Sequence, residues 1–218
     1  MLRFFLIIGL IVLVTTILTR GLRGKKTSSP PKTEKPKLIR DARADAAAME
    51  RAHDIVRALA GDDPLPHADI DLAARDLSAF SDRSRERGSI EFVEPPTAGE
   101  AACAVLQWHG YISDIDHRSD TDELKEALDP LLERRGIPDF DWSFIDDLEA
   151  AENWEALKND NLLPIVAKHV ARRGAVMIFV NPGTGDNYDF AVGSRAQYEQ
   201  LRALKCEGFD VSDEHSPW

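Results

Sequence analysis

From Phe4 to Leu18 the chain reads FFLIIGLIVLVTTIL, an apolar run without a single charge. With Leu2 and Thr19 it reaches the ~17–25 mostly apolar residues that a membrane-spanning helix needs. Gly9, Thr15 and Thr16 are tolerated there, because a threonine hydroxyl can bond back to the helix. A cleaved signal peptide would have a shorter apolar core and a small-residue A-x-A site. Here the run ends in Thr19-Arg20-Gly21-Leu22-Arg23-Gly24-Lys25-Lys26, with no such site and no lipobox cysteine. Residues 1–20 are therefore expected to be an uncleaved transmembrane anchor. Thr27–Lys37 (TSSPPKTEKPK) cannot bury a core, so residues 21–37 are expected to be a basic, semi-extended linker.

From Leu38 the pattern becomes that of a folded domain, expected over 38–218. Met49, Ala52, Val56 and Leu59 recur at helical spacing over Ala42–Ala60, and Gly61-Asp62-Asp63-Pro64 stops that helix. Ile70, Ala73, Leu77 and Phe80 predict a second helix over Asp69–Arg87, so residues 38–88 read as a helical pair. Ser89–Glu94 (SIEFVE) alternates like a short strand, and Ala102–Leu106 reads as a more buried strand running on toward Ile115. Asp120 with Glu123 three residues on resembles a capping box, opening a helix whose apolar stripe is Leu124, Leu128, Leu131 and Leu132. Pro130 should kink or split it after Leu128.

Asn153–Arg173 is expected to be mostly helical, broken near Asn159-Asp160-Asn161, with Pro164 in the first turn of a new helix. Leu163, Val166, Ala167 and Val170 should face inward. Ala175–Asn181 (AVMIFVN) is apolar on both faces, as a central strand is. Gly183–Asp186 is turn chemistry, and Tyr188, Phe190 and Val192 alternate as in a half-buried antiparallel partner. Arg195–Leu204 should close the sheet-and-helix region 89–204, and residues 205–218 should be a loose tail. Helices grouped around a small antiparallel or mixed sheet make the expected class α+β.

Charge is unevenly placed. Of 27 Lys and Arg and 38 Asp and Glu, residues 1–40 hold nine basic residues and one acid, Glu34. The remainder carries 18 and 37, a balance of -19. Such a domain is a poor nucleic-acid binder, because neutralising phosphates takes clustered Lys and Arg. It suits a basic protein partner. The seven Lys and Arg between Arg20 and Lys37 outweigh Arg3 and the amino group on the other flank, so the domain is expected to face the cytoplasm. Cys103 and Cys206 match no metal or redox spacing and are expected to be lone thiols.

Three pieces of the stretch Val105–Leu204 carry a resemblance: Phe140-Asp141-Trp142-Ser143-Phe144-Ile145-Asp146-Asp147-Leu148, Leu162-Leu163-Pro164, and Gly185-Asp186-Asn187-Tyr188. Together they resemble a bacterial domain-of-unknown-function family. The resemblance implies a small α+β domain and a bacterial source, hence the inner (cell) membrane as its location. It implies no activity, no cofactor and no site residue.

Candidate chemistry is sparse. His109, Asp114, Asp116 and His117 form the one histidine–carboxylate group that suggests a metal. On a regular strand the two histidines would share a face and the two aspartates the other, so a bulge at Gly110 would be needed. Asp141, Asp146 and Asp147 crowd a helix start, where the helix dipole favours acids without any ligand. Gly183, Gly185 and Asp186 could cradle an anion, but the lysine of a phosphate loop is missing. The serines lack a nucleophile-elbow context. The expectation is a membrane-tethered, non-enzymatic interaction module, with no cofactor. The competing reading is an enzyme or metal site built on His109, Asp114, Asp116 and His117.

Overall fold

In the computed structural model, the residues described are 42–88, 92, 95–180 and 187–212. They form eight helices: α1 (Ala42–Ala60), α2 (Pro64–Arg75), α3 (Leu77–Glu86), α4 (Ala98–Trp108), α5 (Thr121–Arg134), α6 (Ser143–Ala150), α7 (Asn159–Arg172) and α8 (Arg195–Ala203). Four strands complete the fold: β1 (Ser113–Asp116), β2 (Val176–Val180), β3 (Asn187–Gly193) and β4 (Val211–Ser212). Every strand pair is antiparallel and the order is β1-β3-β2-β4, so the class is α+β. The expected anchor and linker, the turn Gly183–Asp186 and residues 213–218 lie outside the described residues, as does most of the strand expected at Ser89–Glu94. Among the described residues no helix is long and apolar enough to cross a membrane.

The sheet separates two hydrophobic cores, because successive side chains of a strand point to opposite faces. Val176, Ile178, Val180 and Ala191 meet α1, α4 and α8 in the first core. Met177, Phe179, Phe190 and Val192 meet α5 and α7 in the second. Phe179 lies opposite Phe190 in the β2–β3 register, as the two patterns require, and every residue of β2 is buried.

Several local expectations are overturned. The strand expected at Ala102–Leu106 is helix α4. Its start is a capping box, with the Glu100 amide donating to Thr97 Oγ1 at 3.2 Å and the Thr97 amide to Glu100 Oε2 at 2.7 Å. Nine of its residues are buried, so no polar face marks the helical period. Only Ser113–Asp116, farther on, is strand. The helix expected over Asp69–Arg87 is broken at Asp76, which ends α2 with its amide on the Leu72 carbonyl (2.8 Å) and starts α3 by accepting from the Ala79 amide (3.0 Å).

Pro130 neither splits nor ends α5. It is exposed, as is Glu126, whose carbonyl loses a partner, and water can serve that group. The Asp120 cap holds, accepting from the amides of Asp122 and Glu123. Residues 151–158 are turns rather than helix, and Pro164 lies a turn and a half inside α7. Strand β3 is not half-buried: Asp189 and Ala191, on the face away from Phe190, are covered as well. The tail is not loose up to Ser212. Phe209 and Val211 are buried, and Val211 pairs with Val180. The Gly99 amide donates to the Glu207 carbonyl at 3.0 Å, and a Cβ on Gly99 would run into the backbone of Glu207–Phe209.

Candidate functional site

The turn 154–157 and the first residues of α7 pack beside the loop that leaves β1. Between them and β3 lies an open cleft of about 850 Å³. Asn159 organises it. Its side-chain amide donates to the carbonyls of Asp116 (3.2 Å) and Ser119 (3.1 Å), tying α7 to the β1–α5 loop. Asn159 is only 4% exposed, yet its Oδ1 has no hydrogen-bond partner. A buried acceptor in that state costs free energy of about 1–3 kcal/mol. The rest of the lining is chemically mixed: His117, Arg118 and Lys158, the indole of Trp154, and Tyr188, whose hydroxyl donates to Asp160. Trp154 is 63% exposed, which is unusual for the largest side chain.

At Ser119 and Asn187 this cleft opens into a second hollow of about 550 Å³, lined by Asp114, Asp116, Glu123 and Glu126. The two hollows form one continuous surface, aromatic and cationic at one end and acidic at the other. Strand alternation puts Asp114 and Asp116 on it together, and the first turn of α5 adds Glu123.

The proposed metal group is not assembled. His109 ends α4, where its Nε2 lies 2.9 Å from Asp69 Oδ2, and Arg83 pairs with the other oxygen of Asp69. His117 is exposed past the end of β1, 3.3 Å from Asp116 and accepting from Arg118. Asp114 accepts from the Asn187 amide at 2.9 Å. Among the described residues no three His, Cys, Asp or Glu side chains converge on a common point. Asp141, Asp146 and Asp147 are exposed at the start of α6. Asp141 accepts from the Ser143 amide at 3.0 Å, and the hydrogen bonds from Ser143 hold its carboxyl below the usual range. Trp142 and Phe144 are partly buried against the second core. Gly183, Gly185 and Asp186 lie outside the described residues.

Two groups escaped sequence reasoning. Asp189 is nearly buried beside Asp114, its register partner, and accepts from Gln107 Nε2 at 2.9 Å. Burial first, and then the charge of Asp114, push its carboxyl up to about 7 against that hydrogen bond. Asn159 looked like an ordinary helix-break residue, and nothing in its neighbourhood along the chain announces an orphaned oxygen. Both cysteines are free, and burial drives the Cys103 thiol far above its ordinary value, so it is inert at neutral pH.

Fold and surface together describe a small α+β domain with a polar cleft and a contiguous acidic groove. Residues 51–214 match the family described as Domain of unknown function (DUF6630), and the chain belongs to that family. No curated protein and no solved structure matches it.

Proposed function

We propose that this chain is a single-pass, membrane-tethered, non-enzymatic interaction module that binds a basic segment of a partner protein. The observation that carries the reading is the acidic groove of Asp114, Asp116, Glu123 and Glu126 running into the Trp154 cleft. A Lys or Arg on the partner can pair with the groove, while a neighbouring apolar side chain packs on the Trp154 indole at the other end. The exposed Asp141, Asp146 and Asp147 extend the same charge preference. The apolar run within residues 1–20, the basic linker 21–37 and the acidic domain 38–218 support a domain held on the cytoplasmic face of a bacterial inner membrane.

The test is capture by the full chain, in detergent, of Lys/Arg-rich peptides against acidic controls. Binding should be selective for the basic set, weaken with salt, and fall at least tenfold in Glu123→Lys/Glu126→Lys and in Trp154→Ala. Binding indifferent to the charge reversal would discard this groove as the site. For topology, a Ser28→Cys chain should resist a membrane-impermeant thiol reagent in intact cells, and ready labelling there would overturn the cytoplasmic assignment.

A further inference from the structure

Away from that cleft, where α1 meets α2, two histidines face each other. His53 comes from α1 and His67 from α2, and their Nδ1 atoms are 2.9 Å apart. Each ring's other nitrogen is already engaged. His53 Nε2 lies 3.2 Å from Asp71 Oδ1, and His67 Nε2 lies 3.1 Å from the Gly61 carbonyl, in the turn where Gly61 takes a positive φ. A carboxylate and a carbonyl only accept, so both Nε2 atoms must carry the hydrogen. In the neutral rings this leaves a lone pair on each Nδ1, and the two lone pairs point at one another. The rings are nearly coplanar, 22° apart, with centroids 5.1 Å apart, so they meet edge to edge rather than face to face. Two acceptors so placed repel unless a cation lies between them.

We propose that His53 and His67 form a two-histidine site for a borderline divalent transition ion of the Zn²⁺ or Cu²⁺ class, with water filling the remaining positions. Imidazole nitrogens select that class over Mg²⁺ and Ca²⁺, which take oxygen ligands. A zinc ion bonds nitrogen at about 2.0–2.1 Å, which sets two of its nitrogen ligands roughly 2.9–3.4 Å apart. The observed 2.9 Å separates nitrogens whose lone pairs meet head-on, too close for an ion on the line between them. Both rings must therefore turn until the lone pairs converge on an ion set to one side. Asp71 and Gly61 do for these rings what outer partners do for metal-bound histidines: they fix the tautomer and aim the free nitrogen. The His53 side chain is 24% exposed, which leaves the ion a path in. An ion here would staple α1 to α2, and so couple metal supply to the stability of the first core.

The test titrates Zn²⁺ into the full chain in detergent by calorimetry, with Mg²⁺ as the control and Cu²⁺ as a paramagnetic stand-in. One equivalent of Zn²⁺ should bind, Mg²⁺ should not, and the Cu²⁺ spectrum should show coupling to two imidazole nitrogens. His53→Ala and His67→Ala should each lose binding at least tenfold, and Asp71→Asn, which keeps both ligands, about tenfold. His53→Gln provides a milder replacement if an alanine variant does not fold by circular dichroism. Absence of Zn²⁺ binding to the unaltered chain would overturn the site and leave a shared proton as the cation between the rings. Undiminished binding in a folded double variant, or Cu²⁺ coupled to fewer than two nitrogens, would overturn it equally.

Discussion

The two sides of the sheet are built differently. The core beneath α5 and α7 is packed with large apolar side chains, among them Leu124, Leu128, Leu132, Leu163, Phe179 and Phe190. Its polar contacts, such as Trp142 Nε1 to Asp129 and Tyr188 to Asp160, lie at the exposed rim. The core beneath α1, α4 and α8 uses smaller residues, with Ala98, Ala101, Ala102 and Ala104 on one helix. Polar groups also lie inside on this side: Asp69 between Arg83 and His109, and Asp189 under Gln107. Arg135 also reaches in to bond the carbonyls of Val192 (2.6 Å) and Leu59 (3.3 Å). One side is therefore held by dry packing, which tolerates no lost volume. The other encloses ionisable groups, which tie its stability to pH and to intact partners.

The largest expected effect lies on the dry side. Phe179→Ala should cost about 3–5 kcal/mol in urea unfolding, as other large core truncations do. Indifference to this change would show that β2 is not the centre of that core.

Asp189 should give the next effect, with a sign that distinguishes the two sides. Its folded carboxyl titrates near 7 and the unfolded one near 3.8, so the protonated form is favoured in the fold. Below both values it contributes no penalty. As pH rises from about 4 to 7, the unfolded chain ionises there first and stability falls, levelling above 7. Asp189→Asn should therefore match the parent near pH 4 and exceed it by about 2–4 kcal/mol at pH 8. A difference that does not change with pH would mean Asp189 is ionised in the fold.

Asp69→Ala should cost about 2–3 kcal/mol, because it strands His109 and Arg83 without their shared acceptor. The cost is no larger because the Arg83 side chain is 44% exposed and can turn to water. Thermal unfolding of Asp69→Ala, Arg83→Ala and the pair should show coupling between them, and strict additivity would mean the clamp does not act as a unit. The smallest expected change is Trp154→Ala, within about 0.5 kcal/mol of the parent, since a surface side chain away from the core carries little stability. A large loss would make the indole part of the fold rather than part of a binding surface.

What was legible along the chain was whatever has a local cause. The α1 stripe, the four leucines of α5, the Asp120 cap and the apolar run of β2 each state their period or their stop signal within a few residues, and each appears where expected. The sheet pairing of β2 with β3 follows from two adjacent patterns. Helix α4 was misread because it is buried nearly all round, and an apolar run that short carries no period to tell helix from strand. Its Thr97–Glu100 capping box was the local signal that could have settled it. The chain's local pattern could not disclose that Asp69 would find His109 forty residues on, or that His53 would meet His67 across a helix corner. Nor could it disclose that Asn159 would spend both its amide hydrogens on the β1 loop and leave its oxygen unpartnered. Those outcomes depend on which helix faces pack together, and only the tertiary arrangement brings such distant side chains within hydrogen-bond reach.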